Sequence, residues 1–332
     1  MSEQTTLTKK DMKSDQEVRW CPGCDDYAIL STMQGVLANL GIPREKMCIV
    51  SGIGCSSRFP YYMSTYGFHG IHGRAAAIAT GVKIANPDLS VWVVTGDGDG
   101  LSIGGNHFIH AIRRNLDINI LLFNNEIYGL TKGQYSPTSQ TGLVTKASPN
   151  GTVERPFNPI SVAVGAGGSF VARTLAGDPK HSAEVFTQAA RHHGTSFVEI
   201  FQNCVIFNDG TFDAVAEKKV RAERTIDLVP GQPLVYGAAR DKGLRFAGFS
   251  VERCAATEAS VWDPEARSAA AALLLAEIGR DGDLPVPIGI FRRVAAPVYE
   301  EALHAQIAAV KAKRGPGSLH DLIHAGETWT VG

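Results

Sequence analysis

Long apolar runs and an excess of charge of either sign are both missing from this 332-residue chain. No apolar stretch reaches the roughly 18 residues that a transmembrane helix needs, and residues 1–17 are polar where a signal peptide would have a hydrophobic centre. The formal net charge is −1, so the chain has no electrostatic footprint for nucleic acid or for an anionic membrane. We therefore expect a cytoplasmic protein that binds neither nucleic acid nor membrane.

A complete dinucleotide-binding fingerprint is also missing. Residues 90–95 form an almost continuous apolar run, which predicts a strand buried on both faces of a parallel sheet. Gly96-Asp97-Gly98 follows it, but the third glycine of Gly-x-Gly-x-x-Gly is replaced by Leu101, or by Ile103 if the count starts at Gly98. Asp97 and Asp99 would moreover repel a bare pyrophosphate unless a cation lay between them. A divalent cation is the simplest way to remove this conflict.

A second strand supplies a partner for Asp97. A predicted helix over residues 104–114 and an apolar run over residues 118–123 follow, and the run ends at Asn124-Asn125. A strand–helix–strand unit crosses over right-handedly, so both strands end at the same edge of the sheet. Asp97, the amide oxygen of Asn125 and a nearby main-chain carbonyl suit Mg²⁺ bound to phosphate oxygens. The alternative is that the first motif is only a turn and the second only a loop entrance.

The cysteines lack the spacing of two familiar metal sites. There is no second Cys-x₂-Cys pair, which a zinc ribbon would need, and no Cys-x₂-Cys-x₂-Cys run of the ferredoxin type. Cys21-Pro22-Gly23-Cys24 opens a predicted helix over residues 25–40 and is typical of a redox-active or metal-binding pair. Any further ligands must come from distant parts of the chain.

Two of the other cysteines follow predicted strands. Cys55 comes after the strand expected at residues 47–50, and Cys204 comes after the strand expected at residues 196–201. If these strands belong to the same parallel sheet, both cysteines emerge at the edge that carries Asp97. With the pair at residues 21–24 this gives four thiolates, the number that an iron–sulfur cluster needs.

The text around these residues resembles the beta subunit of the 2-oxoacid:ferredoxin oxidoreductases, and the resemblance extends from Trp20 to about Tyr299. The matching text includes Gly96-Asp97-Gly98-Asp99, Gly104-Gly105-Asn106-His107, Asn125, Tyr128-Gly129-Leu130-Thr131-Lys132-Gly133-Gln134 and Ser136-Pro137-Thr138. The resemblance implies thiamine diphosphate, Mg²⁺ and one [4Fe–4S] cluster as cofactors, with coenzyme A as a co-substrate.

The resemblance also assigns residues. The implied Mg²⁺ ligands are Asp97, Asn125 and the main-chain oxygen of Ile127, and the implied cluster ligands are Cys21, Cys24, Cys55 and Cys204. The implied thiamine diphosphate contacts are Ile53, Gly54, Cys55, Ser56, His72, Gly96, Gly98, Asp99, Gly129 and Leu130.

Three further side chains are candidates for handling the substrate. His72 could be an ordinary hydrogen-bonded loop histidine, but its match to the family's His-Gly-Arg implies a catalytic position near the thiazolium, where it would hydrogen-bond the substrate oxygen. Arg58 and Lys132 are either solvated surface charges or cations that hold a substrate carboxylate. They favour 2-oxoglutarate, which has a second carboxylate, over pyruvate or an aryl or branched-chain 2-oxoacid.

The implied reaction is reversible and converts 2-oxoglutarate, coenzyme A and oxidised ferredoxin into succinyl-CoA, CO₂ and reduced ferredoxin. The chain holds only the diphosphate-binding half of a thiamine site, so we expect an alpha subunit with the pyrimidine-binding domain and the catalytic glutamate, in an (αβ)₂ assembly. Two alternatives are a non-redox thiamine diphosphate decarboxylase or synthase subunit with structural zinc, and a non-catalytic electron-transfer subunit.

The expected fold is α/β, with a doubly wound and mostly parallel sheet. We predict a flexible tail over residues 1–16, the cofactor-binding domain over residues 17–224 and a C-terminal extension over residues 225–332. Alanine-rich stretches predict helices at residues 263–278 and 296–313.

Overall fold

The computed structural model describes residues 7–279 and 282–332, which form one large sheet, one small sheet and the helices around them. The strands are β1 (Met47–Ser51), β2 (Tyr66–His69), β3 (Ser90–Gly96), β4 (Ile118–Asn124), β5 (Phe170–Leu175), β6 (Ser196–Phe201), β7 (Thr225–Leu228), β8 (Val235–Tyr236), β9 (Lys242–Ala247), β10 (Ser250–Ala255) and β11 (Val286–Arg293). The α-helices are α1 (Asp26–Asn39), α2 (Ala75–Ala85), α3 (Asp97–Leu101), α4 (Gly105–Arg114), α5 (Pro159–Gly165), α6 (Pro179–Arg191), α7 (Asp213–Ala216), α8 (Lys218–Arg224), α9 (Ala270–Ala276), α10 (Tyr299–Arg314) and α11 (Leu319–Ile323).

The large sheet has the strand order β2-β1-β3-β4-β6-β5-β11-β7, and within it only the β5–β11 pairing is antiparallel. Both of its faces are buried. Along β3, Val91 and Val93 pack into one hydrophobic core with α2, α4, α5 and α9, whereas Trp92 and Val94 pack into the other with α1 and α6. An apolar run without polar alternation is what such a position requires. The predicted α/β fold with a mostly parallel sheet is confirmed.

The site is positioned by four neighbouring strands. β1, β3, β4 and β6 lie side by side and run parallel, so their carboxyl ends share one edge of the sheet. Cys55, Asp97, Asn125 and Cys204 follow these four strands in that order. The prediction that the four side chains emerge at one edge is therefore confirmed.

Two predicted helices are shorter than expected. The stretch at 263–278 is helical only over α9, because the segment before it is paired with the large sheet. The main-chain oxygen of Pro264 accepts a 2.8 Å hydrogen bond from the Arg293 nitrogen at the end of β11. The stretch at 296–313 becomes helical only from Tyr299, because Val298 has extended backbone with φ −89° and ψ 130°, and Pro297 disfavours helical backbone at Ala296.

The ends of the chain contribute to the packing. Residues 1–6 of the predicted tail lie outside the described residues, but Met12 is fully buried and Lys13 forms a β-bridge with Met63, so residues 7–16 are docked rather than loose. After the boundary predicted at residue 225, β7 and β11 both join the large sheet. No helix in the described part of the chain is long and apolar enough to span a membrane.

Candidate active site

A cavity of about 450 Å³ opens at the carboxyl edge of β1, β3 and β4. Its lining includes every residue predicted to contact thiamine diphosphate or Mg²⁺: Ile53, Gly54, Cys55, Ser56, His72, Gly96, Asp97, Gly98, Asp99, Asn125, Ile127, Gly129 and Leu130. Of the two predicted substrate cations, Lys132 is exposed and Arg58 is half-buried, and neither is among the described residues that line the cavity. Their predicted contact with substrate has no counterpart in this lining.

Asp99 organises the loops around the cavity. Its Oδ1 accepts hydrogen bonds from the main-chain nitrogens of Ile53 (3.1 Å) and Gly73 (2.6 Å) and lies 2.6 Å from Nδ1 of His72, while its Oδ2 accepts a 2.6 Å hydrogen bond from Thr95 Oγ1. An ionised carboxylate can only accept, so Nδ1 of His72 is the donor in this contact and Nε2 is left for the cavity. Asp99 thus positions the predicted catalytic histidine, a role that the sequence did not reveal.

Asp97 begins α3 with its carboxyl group buried. Ser136 Oγ and Thr138 Oγ1 donate to its Oδ2 over 2.5 and 2.7 Å. Burial raises the pKa of Asp97, and the two hydroxyl hydrogen bonds oppose this effect. A buried carboxylate of this kind is stabilised when a cation binds beside it.

Asn125 is held by contacts on both ends of its amide. Nδ2 donates a 2.8 Å hydrogen bond to Oε1 of Gln202, and Oδ1 accepts a 3.2 Å hydrogen bond from the Ile127 nitrogen. Its main-chain oxygen accepts a 2.9 Å hydrogen bond from Nδ2 of Asn208. The amide oxygen keeps a second lone pair, which could coordinate a metal ion.

A buried ion pair supports the neighbouring residue. Arg173 on β5 and Glu199 on β6 are 4% and 1% exposed, and Arg173 Nε donates to Glu199 Oε2 over 2.7 Å. Asn124 Nδ2 donates to the other carboxylate oxygen over 2.7 Å, and Asn124 Oδ1 lies 2.9 Å from Thr138 Oγ1. The network therefore connects the interior of the sheet to a hydroxyl that contacts Asp97.

The thiols of Cys55 and Cys204 lie against the cavity wall. A Cβ placed on Gly129 would lie 3.4 Å from Sγ of Cys204 and 3.6 Å from Sγ of Cys55. The pKa of Cys55 is raised to about 12, mainly by burial and in part by nearby acidic and thiol groups that include Cys204 and Cys21. Burial likewise raises the pKa of Cys24, with further contributions from neighbouring groups that include Cys55 and Cys204. Within the described residues, no three Cys, His, Asp or Glu side chains are grouped so that they could hold a metal ion.

Several residues of the site were missed at the level of sequence. Ser136 and Thr138 stood in the text that resembles the family, but nothing in their spacing indicated that they contact Asp97. Glu199 lies within an apolar strand, where a buried charge is itself a signal that a partner is present. Gln202 directly follows β6, the kind of strand end at which the other site residues lie.

Comparison with known proteins agrees with this geometry. Residues 52–200 match the family model for the C-terminal TPP binding domain of thiamine pyrophosphate enzymes. The matched range begins in the loop after β1 and ends within β6, so it contains the predicted magnesium and diphosphate residues. Fold and site together define a domain of the thiamine pyrophosphate-binding class.

Relatives define the family more closely. The chain is 52% identical over 329 residues to the 2-oxoglutarate oxidoreductase subunit KorB of Mycobacterium tuberculosis, covering 97% of this chain and 88% of the relative. It is 45% identical over 199 residues to the beta subunit of 2-oxoacid:ferredoxin oxidoreductase 2 of Aeropyrum pernix, covering 60% and 64% of the two chains. A solved structure of 2-oxoglutarate:ferredoxin oxidoreductase from Magnetococcus marinus, with 2-oxoglutarate, coenzyme A and succinyl-CoA bound, is 33% identical, has a TM-score of 0.76 and matches over 98% of each chain.

The chain belongs to the beta subunits of the 2-oxoacid:ferredoxin oxidoreductases. The predicted family and the predicted oxidoreductase class are thereby confirmed.

Proposed function

We propose that this chain is the beta subunit of a coenzyme A-acylating 2-oxoglutarate:ferredoxin oxidoreductase. The enzyme converts 2-oxoglutarate, coenzyme A and oxidised ferredoxin into succinyl-CoA, CO₂ and reduced ferredoxin, and it also runs in reverse. One observation carries the proposal: two of the four cysteine thiols, those of Cys55 and Cys204, lie beside Gly129 in the wall of the cavity that Asp97 and Asn125 line. Electrons released in the cavity would therefore have a short path out.

Asp97 and Asn125, with the main-chain oxygen of Ile127, fit a magnesium ion. All three residues line the cavity, and Asp97 is only 2% exposed. Among residues 7–279 and 282–332 no lysine or arginine forms an ion pair with Asp97, and burial disfavours its ionised form. A divalent cation that also binds the diphosphate would supply the missing positive charge.

The four cysteines fit an iron–sulfur cluster by their chemistry. Cys21, Cys24, Cys55 and Cys204 offer four sulfur ligands, and the placement of the Cys55 and Cys204 thiols beside Gly129 supports this set. A single ion requires its ligands to converge on one point, whereas a four-iron cube takes one thiolate on each iron. Iron would also stabilise the thiolate forms that burial disfavours. A cytoplasmic location follows, because such cysteines need a reducing compartment.

Thiamine diphosphate supplies the chemistry that removes CO₂ from a 2-oxoacid and holds the remaining electrons. The chain's own residues prepare the site for it. Asp99 fixes the ring of His72 through Nδ1, and the doubly protonated imidazolium would donate a hydrogen bond from Nε2 to the substrate oxygen where charge develops. The loop at Ile53 is held by the same carboxylate, so both walls of the cavity are oriented together.

The chain supplies one part of the complete enzyme. Membership of a beta-subunit family implies an alpha subunit, and we propose that this subunit brings the pyrimidine-binding domain and the catalytic glutamate in an (αβ)₂ assembly. The single cluster would pass electrons to a separate ferredoxin. We keep Arg58 and Lys132 as candidates to hold the second carboxylate of 2-oxoglutarate, by movement of their loops when the alpha subunit is bound.

One experiment tests the proposal. The chain is co-expressed with its alpha subunit, purified without oxygen, and assayed for iron, sulfide, thiamine diphosphate and coenzyme A-dependent reduction of ferredoxin by 2-oxoglutarate and by pyruvate. We expect a brown protein that contains the cofactor and prefers 2-oxoglutarate. A preference for pyruvate would overturn the substrate, a colourless protein with zinc would overturn the redox function, and a brown protein without thiamine diphosphate would leave only electron transfer.

A further inference from the structure

The side chain of Gln202 contacts both halves of the proposed site. Gln202 directly follows β6 and is 1% exposed. Its Oε1 accepts a 2.8 Å hydrogen bond from Nδ2 of Asn125, and its Nε2 lies 3.4 Å from Sγ of Cys24 and donates a 2.6 Å hydrogen bond to the main-chain oxygen of Asn203. One amide thus bridges a predicted magnesium ligand and a predicted cluster ligand.

The orientation of this amide is fixed by its partners. The Asn203 oxygen can only accept a hydrogen bond, so the NH₂ group of Gln202 must lie on that side. Its second N–H then points to the sulfur of Cys24, and its oxygen is left for Asn125. Because Asn125 must donate through Nδ2, its Oδ1 is turned towards the Ile127 nitrogen and remains available for a metal ion.

We infer that Gln202 is a positioning residue that couples binding at the metal–diphosphate site to reduction of the cluster. The inference rests on the proposed function. A metal ion on Oδ1 of Asn125 withdraws electron density from its amide, which strengthens the Nδ2–H donated to Gln202. Polarisation of the Gln202 amide then strengthens its N–H bond to the Cys24 sulfur. Hydrogen bonds to cluster sulfurs stabilise the reduced state, in which the cluster has gained one electron and no bond has broken.

Thermodynamic linkage makes the coupling reciprocal. If bound magnesium and diphosphate favour the reduced cluster, reduction of the cluster must tighten their binding by the same factor. Each tenfold difference in affinity corresponds to about 59 mV in the potential of a one-electron couple. The cluster would thereby be the better electron acceptor when the cofactor is in place.

The test measures two quantities on the assembled two-subunit complex. The first is the dissociation constant of Mg²⁺–thiamine diphosphate for the oxidised and the dithionite-reduced protein. The second is the midpoint potential of the cluster, followed by electron paramagnetic resonance, with and without the cofactor. In the natural protein we expect several-fold tighter binding to the reduced form and a matching rise in potential.

Gln202→Met removes the hydrogen bonds to Asn125, Cys24 and the Asn203 oxygen at similar volume, and it should bring the ratio of the oxidised and reduced dissociation constants close to one. Gln202→Glu keeps the acceptor for Asn125 but loses the donor to Cys24, and it serves as a second variant if the first does not fold. Gln34→Met is the matched control, because Gln34 is also buried but donates to the Tyr62 main-chain oxygen away from the site. The control should keep the natural ratio.

The outcomes separate the two proposals. A natural complex without a cluster signal would overturn the proposed function and this inference with it. A natural complex that contains the cluster but shows the same affinity ratio as both Gln202 variants would overturn the role of Gln202 alone. A ratio of oxidised to reduced dissociation constants close to one in the Gln202 variants, with the natural ratio kept in Gln34→Met, would support the inference.

Discussion

The hydroxyl of Tyr128 donates a 2.9 Å hydrogen bond to the main-chain oxygen of Gly98, and its ring fills the space where a side chain on Gly98 would begin. A Cβ on Gly98 would lie 2.3 Å from Cε1 of Tyr128. The motif therefore has glycine at this position because the ring closes over it. The ring also lies 6.2 Å from that of His72, centroid to centroid, so it forms part of the wall that holds the predicted catalytic histidine.

Replacing Gly98 with alanine should displace Tyr128 and disturb the cavity. Overpacking of this kind costs about 1–3 kcal/mol, so we expect thiamine diphosphate affinity to fall roughly tenfold or more. Quenching of tryptophan fluorescence during a titration with thiamine diphosphate measures this affinity. Gly105→Ala is the control, because a Cβ at Gly105 meets no atom within 4 Å. Equal affinities for the two variants would show that the contact between ring and backbone does not shape the cofactor site.

Thr138→Val should make magnesium binding more sensitive to acid. Burial already raises the pKa of Asp97, and the Thr138 hydroxyl opposes that shift, so its removal raises the pKa further. Magnesium binds the ionised carboxylate, and binding is lost as the pH falls through this pKa. The loss should therefore occur at higher pH in the variant, as measured by magnesium titrations across a pH series.

Thr141→Val is the matched control for that experiment, because the Thr141 hydroxyl donates to the main-chain oxygen of Glu154 at the surface. Its profile should follow that of the natural protein. If Thr138→Val also followed it, the hydroxyl would have no part in stabilising the Asp97 carboxylate.

Arg173→Met should strongly reduce the free energy of unfolding. The change leaves Glu199 buried without its cationic partner, which typically costs about 3–5 kcal/mol. Adding Glu199→Gln removes the orphaned charge and should recover part of the loss. Urea denaturation gives the free energy of unfolding of the natural protein, of Arg173→Met and of the double variant. Lys242→Met, which breaks an exposed pair with Glu223, should leave the urea midpoint nearly unchanged. A double variant no more stable than Arg173→Met would contradict this account of the pair.

Cys204→Ser should remove iron, whereas Cys254→Ser should not. Cys204 lies beside the cavity wall, but Cys254 is on β10 in the small sheet. Iron and sulfide contents of anaerobically purified complexes measure the difference. Similar iron contents in both variants would exclude Cys204 from the ligand set.

The location of the site could be predicted because it depends on strand ends. The apolar runs of β3 and β4 are buried on both faces, and the handedness of the crossover between them places Asp97 and Asn125 at one edge of the sheet. The prediction for Cys55 and Cys204 depended on the further condition that β1 and β6 belong to the same parallel sheet, which they do.

The contacts within the site could not be predicted, because they depend on loop paths. Lys132 has a φ of +76° and Gly133 a φ of +98°, and this turn leaves the Lys132 side chain exposed instead of in the cavity. Gln202 and Thr138 are brought to their partners only by the assembled sheet and the loop after it. Alanine content likewise overpredicted the helix at residues 263–278, where tertiary pairing of the segment around Pro264 decided the outcome.

The measurement that tests the central claim most directly is the visible spectrum of the assembled, oxygen-free complex before and after 2-oxoglutarate and coenzyme A are added. We predict an iron–sulfur absorption that is bleached on addition, and that is missing from the Cys204→Ser complex throughout. An absorption that 2-oxoglutarate leaves unchanged in a complex loaded with thiamine diphosphate and magnesium would contradict the claim that cavity and cysteines form one electron path.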